Sequence, residues 1–549
     1  MKDSKDVSAK KLRGGYYTDP EIASFLLKWV RHCSPENILE PSCGDGVFFR
    51  VLSEMEFPNL ESVVGFEIDT EEKAAAETVL QRIEQVSNDE DTYVDDVDFL
   101  GWFLTHAHHP EQFDAVVGNP PFVRYQYLND DLQNKSKKIF ERFRLPFTHH
   151  TNAWVPFVIA SVASLNPGGR LAMVVPSEIL HVLHAESLRT FLAKVCSQVL
   201  LFDPQELWFE DVLQGAVLLL AEKKPEKSTP SQGIGIIPTR SRDFLEEEPE
   251  EYFCSADYAN GETIEGKWMQ ALLKPEEREL LRKAKEKEEI YQFDDVADVA
   301  VGIVTGANKF FLVSDETVEK FGLEKWAEPM FGRSRHVPGV VYDEELHQQN
   351  KAMGRRANFI KFEEDEEFED FPEAVRRYIR SGEEDELHER YKCRIRDPWY
   401  SVPSVYSTRV GMLKRSHHFP RLIYNRCEAY TTDTAYRIVS NRFDAPELVH
   451  SFVNSLTALS AELEGRHYGG GVLELVPSEI RELLLPISDA SEADVYRLDT
   501  QVQEEQPPEK LMENQDEVVL GEIGFDSEEQ ELLRQAWMRL RARRQREDY

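Results

Sequence analysis

Asn119-Pro120-Pro121-Phe122 is the stretch of this 549-residue chain whose residue types most plainly do chemistry. Asn119 brings a side-chain carbonyl that accepts a hydrogen bond from an amino group. Pro120 has no N–H and a fixed φ, and it restricts Asn119 before it, so its own carbonyl points in a set direction. Phe122 presents a flat face to a planar ring. Together these residues suit an exocyclic amine on an aromatic heterocycle. The competing reading is a turn that ends a strand and buries a core phenylalanine.

A second group is acidic. Glu40 and Asp45 flank a loop with glycines at 44 and 46, and Glu67 closes a later apolar run. Glycine lets a ligand approach the backbone, and an acid ~20 residues past such a loop takes both hydroxyls of a ribose. Acids beside the loop disfavour a dinucleotide. They favour an uncharged or cationic nucleoside, because Glu40 and Asp45 complement a sulfonium or an amino group. Asp98-Phe99 pairs an acid with an aromatic, suited to an adenine amino group and ring, or equally to a helix cap beside a core ring. Thr18-Asp19-Pro20 opens a helix, whose free N–H groups and cap hydroxyl can seat a carboxylate.

The elements that must hold these residues alternate in type. A short apolar strand ends at Glu40, and a helical pattern through Val47, Phe48, Val51 and Leu52 follows the glycine loop. Further strands are expected at 62–69, 93–97 and 113–118, the last delivering Asn119 to the carboxyl rim, where ligands bind in open α/β sheets. A helix over 153–165, a turn at 166–169 and strands at 170–175, 199–202 and 214–220 complete a sheet of roughly seven strands. Trp208-Phe209 falls in a polar loop between the last two.

The formal net charge is −37, which taken whole argues against a polyanion partner. The charge is uneven, however. Acid concentrates at 246–251, 363–370, 383–386 and 502–531. Between Arg390 and Arg437 ten Lys or Arg stand against Asp397, Glu428 and Asp433. There Arg394, Arg396, Arg409, Lys414, Arg415, Arg421 and Arg426 interleave with Trp399 and Tyr400, a combination that suits phosphates and stacked bases. The alternative is a surface sheet with satisfied charges. Lys223 to Pro230 and the acid run at 246–251 mark a boundary, and from 291 the pattern becomes mixed α+β. Residues 367–389 read as a solvated helical insertion. Asp526-Ser527 caps a terminal helix with Leu532, Leu533, Ala536, Trp537 and Leu540 on one face, which docks on the body or on a partner. Six scattered cysteines offer neither a zinc site nor a disulfide framework, so no metal is expected. No apolar run nears the ~20 residues that span a bilayer. With the polar start, this points to a cytoplasmic protein without membrane contact.

In this order the pieces resemble the adenine-N6 DNA methyltransferases of restriction–modification type, in the subgroup whose cofactor motifs precede the recognition domain. The resemblance covers about 14–220 strongly, and 302–309 and 468–486 more weakly. It implies a Rossmann-like seven-stranded methyltransferase sheet followed by an α+β DNA-recognition domain. The expected division is 1–240 catalytic, 241–290 acidic connector, 291–490 target recognition and 491–549 acidic segment with a helix. It also implies S-adenosylmethionine as cofactor, held by Tyr17, Thr18, Glu40, Pro41, Cys43, Gly44, Glu67, Ile68, Asp98, Phe99, Asn119, Pro121 and Phe157. Asn119, Pro120 and Phe122 become catalytic, with Phe122 and Phe209 against a flipped base. Implied partners are double-stranded DNA and a cognate restriction endonuclease or defence-system subunits. Other readings are an N4-cytosine, rRNA or protein-glutamine methyltransferase, and a non-catalytic DNA-binding subunit of a defence system.

Overall fold

The computed structural model describes residues 18–83, 91–106, 112–205, 215–259, 266–403, 405–468, 470–504 and 506–547. The chain divides into two units, Met1–Lys274 and Pro275–Tyr549.

In the first unit, β1 (Asn37–Glu40), β2 (Ser62–Phe66), β3 (Tyr93–Asp95), β4 (Phe113–Gly118), β5 (Leu165–Pro176), β6 (Cys196–Pro204), β7 (Ala216–Lys223) and β8 (Gly233–Thr239) form one sheet. Their order is β3-β2-β1-β4-β5-β7-β6-β8. β7 runs antiparallel to β5 and β6, while β1 to β5 pair in parallel. The expected sheet is therefore present, extended by β8 along β6. Glycines hid β8 from the sequence. Gly235 is there because a Cβ would lie 2.9 Å from Leu200 Cδ1.

Strand order reverses between β1 and β4, so a crevice opens at their carboxyl ends, where the glycine loop and Asn119 follow. Two features fix that crevice. Asp114 of β4 accepts the Glu36 and Asn37 amides at 3.0 Å each, which sets β4 against the foot of β1. Gly46 has φ +82°, a left-handed value that glycine adopts at little cost, and it starts α2 (Val47–Ser53). The helix before β1, α1 (Pro20–Arg31), buries Ile22, Phe25, Leu26 and Trp29 as its spacing predicts. The acid run at 246–251 does not behave as a boundary. Its Glu250 pairs with the largely buried Arg170 at 2.5 Å, and that guanidinium sits over the Trp29 ring, so the run is tied to the first unit while its other acids stay exposed.

The second unit has a five-stranded sheet, in the order Ala297–Val301, Ala435–Ser440, Val410–Leu413, Leu422–Asn425, Val341–Tyr342, and a four-stranded one. Residues 367–389 are not merely solvated. Helix Glu373–Glu384 buries Val375, Tyr378 and Ile379, and Tyr378 stacks on Phe310 at 4.6 Å. Its acids occupy one face and its apolar residues, at i, i+3 and i+4, the other. Helix Ser527–Gln545 opens with the expected Asp526 cap and buries Leu533, Ala536, Trp537 and Leu540. It docks within its own unit, on helices Ser455–Glu464 and Pro508–Glu522. Its basic end is buried: Arg544 pairs with the fully buried Glu462 at 2.7 Å and donates to the His417 carbonyl at 2.9 Å. Among the described residues no helix is long and apolar enough to cross a membrane.

Candidate active site

The crevice between β1 and β4 gathers most of the singled-out residues. Glu67, just past β2, accepts the Gly44 amide on Oε2 and the Asp69 amide on Oε1, each at 2.9 Å. One backbone N–H on each oxygen fixes the carboxylate plane, and each oxygen keeps capacity for a second donor. Burial raises the Glu67 carboxyl, against the pull of those two amides. Ile68 beside it is 67% exposed, an apolar side chain left at the rim.

Glu40 is buried, and its Oε2 has no partner among the described residues. Burial pushes its carboxyl well above the usual range, and the charges of Glu67 and Asp45 push further. Such a group is costly to hold charged unless a cation arrives. Pro41 is buried beside it. Cys43 turns its side chain inward near Gly65, and burial raises its thiol, so only its backbone serves the loop.

A stability consequence follows for Glu40. A carboxyl raised in the folded state contributes stability that is complete below its unfolded pKa and is lost as pH rises through the folded one. Glu40→Gln mimics the protonated form. The ligand-free variant is expected to melt above the wild type in mildly alkaline buffer, with the gap closing as the buffer is made acidic. Scanning calorimetry across pH checks this, and an equal or lower alkaline melting temperature would count against a destabilising Glu40 charge.

Asn119 is held from two sides. Its Nδ2 donates to Thr18 Oγ1 at 3.2 Å, and its backbone carbonyl accepts from Ser42 Oγ at 3.1 Å. The first contact turns Oδ1 away from Thr18. Pro120 is buried, Pro121 is half-buried, and the half-buried Phe122 packs in part on the core around α1. The chain beyond is fixed as well. The Tyr125 amide donates to Asn152 Oδ1 at 3.1 Å, and Asn152 Nδ2 donates to Glu178 Oε2 at 3.1 Å. Ser42, Asn152 and Glu178 were not foreseen, since each acts through a partner remote in sequence. Asn152 carried the better signal: a polar pair, Thr151-Asn152, ahead of a helix whose only polar residues are Ser161 and Ser164.

Asp98 caps its helix through Gly101 at 2.9 Å and meets Lys135 at 3.0 Å, both on Oδ2. Phe99 is buried against Phe66, Trp102 and Phe157. The half of the expectation that treated Asp98-Phe99 as cap and core ring is thus in place. Tyr17 and Phe209 lie outside the described residues.

Comparison with known proteins decides what this crevice belongs to. The family model described as N-6 DNA Methylase matches residues 5–298, over half of the chain.

The chain belongs to the N-6 DNA methylase family.

It is an adenine-N6 DNA methyltransferase of the restriction–modification kind, and a second model, the C-terminal domain of the Type II methyltransferase M.Eco57I, matches residues 265–520. The Type II methyltransferase M.AccI of Acinetobacter calcoaceticus is 22% identical over 501 residues, 87% of this chain and 86% of that one. M.HindII of Haemophilus influenzae is 26% identical over 330 residues, 57% of each chain. The structure of the Type IIL restriction-modification enzyme MmeI in complex with DNA shares the fold. It is matched over 97% of this chain and 75% of its own, with a TM-score of 0.56 at 11% identity.

In this N-6 DNA methylase the basic residues of the second unit have varied surroundings. Arg396 donates to the Thr305 and Val304 carbonyls at 2.7 and 2.8 Å. Lys414 and Arg415 both pair with the buried Glu474, at 3.0 and 2.6 Å. Arg426 pairs with Glu492 at 3.0 Å. Arg421 donates to the Val337 carbonyl at 3.0 Å, and burial lowers its pKa to about 10. Arg409, near the Tyr424 hydroxyl at 3.4 Å, and Arg394 are exposed. Much of the basic character read from 394–426 is thus neutralised inside the unit.

Proposed function

We propose that this methylase moves a methyl group from S-adenosylmethionine to N6 of an adenine turned out of duplex DNA, with chemistry between β1 and β4. The observation that carries the reading is Asn119, anchored by Thr18 and Ser42 with its carbonyl oxygen turned from Thr18, on the rim shared with Glu67. The residues fit the cofactor. Glu67 has an oxygen for each ribose hydroxyl, the unpartnered Glu40 oxygen and Asp45 suit a cationic sulfonium or amino group, and Ile68 offers an apolar rim to a ring. Tyr17, Pro121, Asp98 and Phe157 complete the proposed set.

S-adenosylmethionine supplies an electrophilic methyl on a sulfonium. The chain's own task is to make a poor nucleophile better. The lone pair of adenine N6 is delocalised into the ring. Hydrogen bonds from its two hydrogens to Asn119 Oδ1 and the Pro120 carbonyl draw the nitrogen towards tetrahedral geometry and localise the pair. Acceptors set in place beforehand cost no reorganisation at the moment of reaction, and each is worth ~3–4 kcal/mol by analogy with oxyanion-hole donors. Phe122 and Phe209 stack on the extruded base, offsetting its unstacking cost. Base-edge and phosphate contacts come from the second unit, with Arg394 and Arg409 the most open of the expected residues. A cognate endonuclease and a cytoplasmic setting accord with the Type II names of the relatives.

The test is transfer of tritiated methyl to DNA followed by nucleoside analysis. N6-methyladenine is expected, and N4-methylcytosine would keep the mechanism and change the base. Glu67→Ala is expected to weaken cofactor binding sharply, since two hydroxyls lose charge-assisted hydrogen bonds. Unchanged affinity by calorimetry would remove Glu67 from the ribose site.

A further inference from the structure

A smaller basic cluster in the second unit lies outside the basic stretch at 394–426. Arg333 precedes and Arg335 lies within a tight turn at Ser334–His336, just after strand Ala327–Phe331, and both are exposed. Neither forms an ion pair with any described residue, nor do Arg355 and Arg356, which follow helix Glu344–Ala352. In a chain of net charge −37, unneutralised guanidinium groups this close together stand out. Nearby acids are already engaged: Asp315 pairs with Lys351 at 2.9 Å, and Asp499 accepts the Val340 and Val341 amides.

His336 reports on the same environment. It is buried, and neither ring nitrogen has a partner among the described residues. Burial first, and then the charges of Arg335, Arg333 and Arg355, together lower its pKa to about 4. The turn is also rigid. The fully buried Asn350 donates to the His336 carbonyl at 2.9 Å. Arg355 bridges Asn350 Oδ1, at 2.6 Å, and the Arg335 carbonyl. Thr434 holds Gly332 on one side, and Arg421 holds Val337 on the other. A surface whose charges are presented without a neutralising partner, on a backbone that need not be ordered on binding, gains most from a polyanion.

We propose that the turn at 333–336, with Arg355 behind it, is a phosphate-contact surface for the backbone of duplex DNA, resting on the DNA reading above. Arg333 and Arg335 meet phosphates directly. Asn350 and Arg355 position them. Contacts of this kind fix how the duplex lies and carry no sequence information.

The experiment is fluorescence anisotropy of a labelled duplex across a salt series. It compares wild type, Arg333→Ala/Arg335→Ala, and a control of equal charge change, Arg282→Ala/Arg497→Ala, whose arginines are exposed and paired with acids. Each phosphate contact contributes about 0.9 to the slope of log affinity against log salt, so the double variant should be shallower by about 1.8. The loss should be equal for related and unrelated duplexes, and the control should keep the wild-type slope. Urea unfolding followed by the fluorescence of the buried Trp537 verifies that the second unit is folded. A wild type that binds duplex with a steep slope, matched by the double variant, would overturn this surface and leave the DNA reading intact. A wild type that neither binds nor methylates duplex would overturn the DNA reading itself. Binding of single-stranded RNA or polyglutamate in place of duplex, lost in the double variant, would assign the cluster to another polyanion and overturn the proposal.

Discussion

Asn119→Ala is expected to cut the turnover number by ~10²–10³-fold or more while leaving cofactor affinity near that of wild type. The lost interaction is made chiefly in the transition state, as the amine nitrogen becomes tetrahedral. The deficit should therefore fall on kcat more than on KM. The variant also frees Thr18 Oγ1 and removes one link between the start of α1 and the rim, but the Ser42 contact to the backbone carbonyl remains. The loop should keep its course. Single-turnover methyl transfer with saturating cofactor and DNA separates chemistry from binding. Undiminished transfer would mean that the amine is held elsewhere. Phe122→Ala should differ in kind, lowering both rate and base extrusion, the latter read by 2-aminopurine fluorescence at the target position. Phe122→Tyr or Trp keeps a flat face and should be tolerated.

Arg544→Ala is expected to destabilise the second unit by ~3–5 kcal/mol, because it takes the guanidinium from the fully buried Glu462 and leaves only the His467 ring, at 3.5 Å, to face it among the described residues. The carbonyl of His417 loses one of its two donors in the same stroke and keeps Gln545 Nε2 at 2.8 Å. Arg544→Lys keeps the charge but not the planar fork, so it should fall between alanine and wild type. Urea unfolding, followed by the fluorescence of the buried Trp537 on the same helix, gives the comparison. A shift of under about 1 kcal/mol for alanine would show that Glu462 takes up a proton or water at little cost.

The candidate site was legible in the sequence because its signals are local. A strand, a glycine loop and an acid at a fixed offset lie within thirty residues of one another, and Asn119 follows its strand directly. The side chains that brace the site were not legible, since Ser42 reaches Asn119 across 77 residues and Asn152 reaches Glu178 across 26. The fate of the arginines was hidden for the same reason. Lys414 and Arg415 are neutralised by Glu474, about sixty residues on, whereas Arg333 and Arg335 are left open by the absence of any such partner among the described residues. The acid run at 367–389 reads as solvated because composition shows charge and conceals the apolar face behind it.

The tie between Asp114 and the Glu36 and Asn37 amides carries a kinetic consequence. It joins positions 78 and 77 residues apart, and the two crevice loops hang from the strands it aligns. Closing a loop of that length costs entropy before any contact repays it. Neither the glycine loop nor Asn119 can be ordered early and alone. Both should gain amide-exchange protection in the same step of refolding and lose it in the same opening event, so the chain passes from no crevice to a whole one without a half-built cofactor seat in between.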